Sequence, residues 1–220
     1  MCPRKVTVGL VFVAFAAGCA FQDAIVHAPP SGLVTTATRV PGSSAVVLSM
    51  PFVDQRPDRS RCGMKKAMSK PSANVYCADA PASWLAELVA QELRTEGYRV
   101  YDSEPPAGQP VVRIEGVLTQ MFVEPEVEFV FAYASYIPEA DIAVKLIARG
   151  EHFEADRRFY FKGAGEYNGG GLESNFQLAL NNSVKASVQG LVSAIAEVVA
   201  YGPPFDAYGC SVPKDSSAQK

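Results

Sequence analysis

The chain has 220 residues, 48% of them hydrophobic, and 20 Lys and Arg against 23 Asp and Glu give a net charge of -3. That length suits one sizeable core, and that composition a folded domain and not a disordered one. Charges of both signs are scattered along the chain, which excludes a basic nucleic-acid face and an acidic tail.

The first residues speak of location. Arg4 and Lys5 precede a run from Val6 to Ala17 that is almost continuously apolar. At roughly a dozen residues it is too short for the ~20 a helix needs to cross a bilayer, and it has the length of a signal-peptide core. It ends Ala16-Ala17-Gly18-Cys19, which looks like a bacterial lipobox. A thiol there can take diacylglycerol before the bond on its N-terminal side is cut, and the freed amine can then be acylated. Two or three chains make a stable anchor where one holds only marginally. The competing reading is an incidental cysteine in an ordinary signal. Ala20 follows Cys19, where an aspartate favours inner-membrane retention in enterobacterial lipoproteins, so the expected destination is the outer membrane and not the inner one.

Cys2 leaves with the signal, so Cys62, Cys77 and Cys210 remain in an oxidising compartment. Cys62 and Cys77 flank one loop and form the candidate disulfide; closing about 15 residues stabilises by ~3 kcal/mol in the chain-entropy picture. Zinc competes as a reading, but three scattered thiols without C-x-x-C or a nearby histidine make poor ligands. Cys210 is left unpaired or replaces one partner.

After the anchor, an Ala- and Pro-rich tether begins pairing near Ile25 to His27, and Leu33 to Val40 reads as an edge strand. Ser44 to Asp54 is a strand of the buried type, followed by a polar loop from Gln55 to Pro81 that is long enough to be functional, mobile or disulfide-stapled. A helix is expected from Pro81 to Glu96, with Leu85, Leu88, Val89 and Leu93 on one face and Gly97 at C′. Tyr98 to Asp102 reads as a short strand and Val111 to Glu124 as a longer one. Ala140 to Gly150 and Phe153 to Tyr167 read as a hairpin turning near Gly150. A long helix starts near Ser174, where Ser174-x-x-Gln177 fits a capping box. Phe176, Leu180, Val184, Val188, Leu191, Ile195 and Val198 form its apolar stripe, and Gly190 suits close packing on the sheet. No internal repeat is present.

These elements predict one α+β domain, a mostly antiparallel or mixed sheet packed with two helices, the second long and C-terminal. The expected organisation is a signal peptide at 1–18, a lipidated tether and edge strand at 19–43, the domain at 44–202 and a tail at 203–220.

Catalytic groups are few. His27 lies in the tether and His152 near a turn, neither beside a nucleophile motif or at metal-ligand spacing. Gly163 to Gly171 lacks the Lys-Ser/Thr of a P-loop; flexibility between strand and helix competes there with anion binding at a helix N-terminus. Asp54, Arg56, Arg59 and Arg61, with Asp58, form either a solvated, mutually paired loop or a recognition edge for a carboxylate or lipid phosphate. Val123 to Pro138 is the most unusual segment. As a strand it puts Val127, Phe129, Phe131 and Tyr133 on one face, with Val130, Ala132 and Tyr136 on the other. An arm apolar on both faces must be covered, by the core, by a partner or by a membrane. Converging carboxylates, Glu124, Glu126, Glu128 and Asp141, would be needed for a periplasmic hydrolase.

The motif order resembles the YajG-type lipoproteins of Gram-negative envelopes. It rests on the lipobox at Cys19, the strand ending Asp54-x-Arg56, "LAELVAQELRTEGYRV", "ADIAVKLIARG", and the closing helix with Asn181-Asn182. The cysteine-bearing loop, the aromatic segment and the tail after Gly202 depart from the family's pattern. The resemblance implies an outer-membrane lipoprotein with an α+β domain and no catalytic residues to carry over. The expected function is therefore a non-catalytic, lipid-anchored periplasmic binding or scaffold protein, accessory to an envelope assembly, with no cofactor and no metal. The alternative is a lipid- or glycan-handling auxiliary of an envelope transport system, using an apolar groove between helix and sheet. Expected partners are the membrane, through acyl chains, and envelope proteins; no nucleic acid is expected.

Overall fold

A computed structural model of the chain describes residues 22–30, 32, 45–67, 70–107, 111–130, 133–165 and 172–202, with 45, 125–130, 133–136, 172 and 173 described by their backbone. The signal peptide, Cys19, the strand expected over Leu33 to Val40, Phe131, Cys210 and the tail lie outside these residues.

The spine is β7, Val111–Val130. From Val112 to Glu115 its apolar residues alternate with polar ones, and an extra residue at Thr119 resets the register between Leu118 and Gln120 before Met121 and Val123 resume the face of Ile114 and Leu118. One edge of β7 pairs antiparallel with β8 (Tyr133–Arg149), which pairs with β9 (Glu154–Ala164). The other edge is shared along its length by three strands, all parallel to it: β2 (Ala45–Leu48), β3 (Val53–Asp54) and β4 (Gly63–Ala67). Beyond β2 lies β6 (Arg99–Tyr101), and beyond β4 lie β5 (Lys70–Cys77) and then β1 (Ala24–Val26). The result is one mixed, nine-stranded sheet.

α1 (Pro81–Thr95) and α2 (Leu172–Tyr201) touch each other and both pack on β7, so they share one sheet face. On that face Ile114, Leu118, Met121 and Val123 of β7 meet Ile142, Val144 and Leu146 of β8 and Phe159 and Phe161 of β9, all buried. The seven stripe residues of α2 are all buried against them. α2 is long and apolar enough to cross a bilayer, yet this stripe is the domain's core. The open face instead carries ion pairs: Arg113–Glu104, Arg149 with Glu115 and Glu154, Lys145–Asp156, and Lys162–Glu139. Sheet, two helices and a one-sided core establish the expected α+β class.

Two glycines set the helix–sheet distance. A Cβ at Gly163 of β9 would stand 2.7 Å from the Ala179 carbonyl oxygen, and one at Gly190 of α2 would meet the Phe161 ring. α1 closes with Gly97 at φ +93°, while the Tyr98 N–H donates to Leu93 O and the Gly97 N–H to Arg94 O, a Schellman close.

Three local expectations are corrected. Ser44 to Asp54 is not continuous: β2 and β3 are separated so that the buried Phe52 ring fills the gap left by Gly116 of β7. The segment after Gln55 is not one long loop, because β4 and β5 form a hairpin there from residues too polar to announce a strand. α2 begins at Leu172 with Ser174 inside it, and Gln177 closes no capping box. Its amide instead accepts from the His27 N–H (2.8 Å) and donates to the His27 carbonyl (3.0 Å), fastening the end of β1 to α2.

Candidate functional site

The polar residues after β3 converge on one guanidinium. Arg56 is buried, its side chain 3% exposed. Nε donates to Asp54 Oδ1 (3.1 Å) and Nη2 to Asp54 Oδ2 (3.0 Å). The second Nη2 proton serves the Arg59 carbonyl (3.1 Å), and Nη1 serves the Arg61 carbonyl (3.0 Å) and Cys62 Sγ (3.3 Å). All five donors of the fork are thus occupied within the loop. Burial alone would raise the Asp54 carboxyl, but the hydrogen bonds and charge of Arg56, with Arg59 adding, outweigh it and hold it below its ordinary value.

The rest of the loop is tied on itself too. Asp58 accepts from the Ser60 hydroxyl (2.6 Å) and pairs with Arg61 Nε (2.5 Å), which hold its carboxyl well below the usual range. Arg61 Nη1 reaches Asn74 on β5 (3.3 Å), and Arg59 is exposed. Cys62 and Cys77 are disulfide-bonded, with Cα atoms 5.5 Å apart. Backbone bonds from Cys62 N–H to Val75 O and from Val123 N–H to Cys62 O join that staple to β5 and β7. The loop is therefore a clasp at the sheet's edge, in which Arg56 has no donor left for an outside carboxylate or phosphate.

The aromatic segment forms the far end of the β7–β8 hairpin. β9 ends at Ala164 opposite Glu139, the Gly165 N–H still donates to the Pro138 carbonyl (2.8 Å), and past Pro125↔Pro138 these two strands pair with each other alone among the described residues. The register pairs Val127 with Tyr136, Phe129 with Ala134 and Val130 with Tyr133. This corrects the expected faces. β8 runs antiparallel to β7 with Tyr133 opposite Val130, so position 136 joins 127 and 129 while 133 joins 130. Positions 127 and 129 continue the row of Met121 and Val123, the helix-covered face.

Of the carboxylates a hydrolase would need, Glu124 faces Glu139 across the β7–β8 pairing with Asp141 nearby, and Glu126 and Glu128 are described by their backbone alone. Glu124 is held by Lys66 (2.7 Å) and Glu139 by Lys162 (3.4 Å). Asp141 is pushed up by burial, with Glu139 and Glu124 adding and Lys162 opposing. His152 is exposed beside Glu151, and among the described residues no three His, Cys, Asp or Glu side chains group to hold a metal. At the α2–β9 interface, Gly163 and Gly190 bring helix and strand into close contact. One polar spot escaped the sequence reading: Glu92 Oε1 and Tyr98 OH are buried with no hydrogen-bond partner among the described residues. The signal was there in the spacing, because Glu92 continues the Leu85–Val89 stripe of α1.

No protein-family profile matches the chain, and no curated protein does. Among solved structures the fold is similar to protein XCC0632 of Xanthomonas campestris, described as DUF330, with a TM-score of 0.54 at 10% identity over 80% of this chain and 95% of that one. Rare lipoprotein B of Shewanella oneidensis aligns with a TM-score of 0.36 at 12% identity, over 70% of this chain and 96% of that one. Lipoprotein GNA1162 of Neisseria meningitidis aligns with a TM-score of 0.29 at 14% identity, over 71% and 98%. At 10% identity the likeness to the Xanthomonas protein is one of fold.

Proposed function

We propose that this chain is a lipid-anchored periplasmic binding or scaffold protein of YajG type, non-catalytic, held at the outer membrane and accessory to a larger envelope assembly. The observation that carries the reading is Cys19 closing an apolar run of signal-peptide length behind Ala16-Ala17-Gly18. The Cys62–Cys77 disulfide supports it, because such a staple persists in an oxidising compartment. The commitment of Arg56, Asp58 and Arg61 to one another supports a role without a reacting cleft at that loop. Acylation would confine the domain to a membrane surface and raise its effective concentration against neighbouring envelope proteins.

Mass spectrometry of the mature N-terminal peptide is the test. The expected product begins at Cys19 and carries a diacylglyceryl thioether and an N-acyl chain, and Cys19→Ser stays unprocessed. An unmodified N-terminus, or a wild-type protein recovered wholly in the soluble fraction, ends the proposal. Crosslinking in cells from positions 127 to 136 then identifies what the domain meets.

A further inference from the structure

The chain leading back from Ala24 toward Cys19 and the aromatic arm leave the sheet in the same direction. The strand directions establish this. β1 runs parallel to β5, β5 antiparallel to β4, and β4 parallel to β7, so β1 runs opposite to β7. The register aligns Ala24 with Val75, Val75 with Gly63 and Gly63 with Val123 in one row across four strands. Traced backward from Ala24, the chain leaves that row in the direction in which β7 rises into the arm. Asp23 already does so, accepting the Asn74 N–H (2.8 Å) one step above the row. The positions back to Cys19 reach at most about 18 Å beyond the row. The arm, Val123 to Val130, rises roughly 23 Å above it at ~3.3 Å per residue, and three strand spacings separate the two laterally by about 14 Å.

From this juxtaposition we infer that the hairpin arm is a second, interfacial membrane contact: its far end, around Val130 and Tyr133, lies in the headgroup layer of the bilayer that holds the acylated Cys19, and it sets the sheet end-on to that surface. The inference rests on the anchoring reading above. Val127, Phe129, Ala134 and Tyr136 share one face of the arm, and that face continues the core row past the point where, among the described residues, any third strand pairs with it. A two-stranded apolar ribbon is marginal in water, and it needs a cover. Aromatic residues with a polar tip suit the membrane–water interface. Glu126 and Glu128 occupy the alternate positions, and among the described residues the outer edges of the ribbon beyond Pro138 join no further strand, leaving backbone groups that the hydrocarbon core would not tolerate. Both features keep the contact shallow.

Depth-dependent quenching tests it with the full-length, acylated protein reconstituted in phosphatidylcholine vesicles bearing bromine at shallow or deep acyl carbons. Three single variants are compared with the parent, whose Trp84 supplies the background: Phe129→Trp and Tyr136→Trp on the arm, and Tyr160→Trp on the open face of β9. The expected result is that shallow bromine removes about half or more of the added emission at 129 or 136, deep bromine less, and neither affects 160. Having two arm positions guards against one variant that fails to fold. Absence of quenching at both, or equal quenching at 160, overturns the inference and leaves a protein partner or a second copy as the arm's cover. The N-terminal peptide is weighed in the same samples. Acylated Cys19 with an unquenched arm refutes the arm contact alone, and an unmodified Cys19 refutes the anchoring reading whatever the arm does.

Discussion

Replacing Arg56 with alanine should be among the most damaging single changes in the domain outside its apolar core. The substitution deletes a fork whose five protons are all spent, and it strands the Arg59 and Arg61 carbonyls together with the Asp54 carboxylate. A buried acceptor left without its donor costs ~1–3 kcal/mol, and breaking a fully buried ion pair costs ~3–5 kcal/mol. The Asp54 side chain is 21% exposed, so water recovers part of that loss. The expected net destabilisation is about 2–4 kcal/mol. At ~2 kcal/mol per molar urea the midpoint should fall by roughly 1–2 M, read by circular dichroism at neutral pH. Arg56→Lys keeps the charge but offers three donors in place of a planar fork, and should lose about half as much. The ionic part has a defined pH dependence. Asp54 is held below its ordinary 3.8 in the folded chain, so its contribution is complete above that value and is lost as pH falls through the folded one. The gap between parent and Arg56→Ala should therefore narrow below about pH 4, without closing, because the stranded carbonyls do not titrate. An alanine variant within ~0.5 kcal/mol of the parent, or a gap that widens on acidification, would refute the assignment of Arg56 as the clasp.

Three further outcomes are expected. Cys62→Ala with Cys77→Ala should lower stability by ~3 kcal/mol in the same urea titration, with dithiothreitol reproducing the loss in the parent and having no effect on the double variant. Gly163→Ala should cost about 1–3 kcal/mol, because its methyl group meets the α2 backbone at Ala179 and Ser183 and no side chain can turn aside; a thermal melt unchanged from the parent would contradict that contact. Gln177→Ala should release the end of β1, seen as faster amide exchange at His27 with a global loss of only ~1 kcal/mol, whereas unchanged exchange would mean that β1 is held by its pairing to β5 alone.

The candidate regions were legible to different degrees. The Cys62–Cys77 pairing could be anticipated because loop length and compartment point to it without any knowledge of the sheet. The role of Arg56 could not. Asp54, Arg56, Asp58, Arg59 and Arg61 look alike as a charged run, and one of them becomes buried only because β3 and β4 sit on the same edge of β7 and close the loop around it. In the arm, the apolar character of Val123 to Pro138 was plain, but its faces were misassigned. A period of two holds only while the chain keeps direction, and the antiparallel register that sets Tyr133 opposite Val130 exchanges the parity of everything after it.

The sequence by itself determined the α+β class, α1 with its glycine close, the β8–β9 hairpin and the apolar stripe of α2. Each of these rests on local periodicity or on a residue whose backbone freedom marks a terminus, and such signals act over a few neighbours. Only the tertiary structure decided that β4 and β5 are strands, that Gln177 binds β1, and that the chain enters the sheet at the end from which the arm projects. These depend on which distant segments lie side by side. Hydrogen-bonded registry across several strands sets that arrangement, and no window of neighbouring residues encodes it.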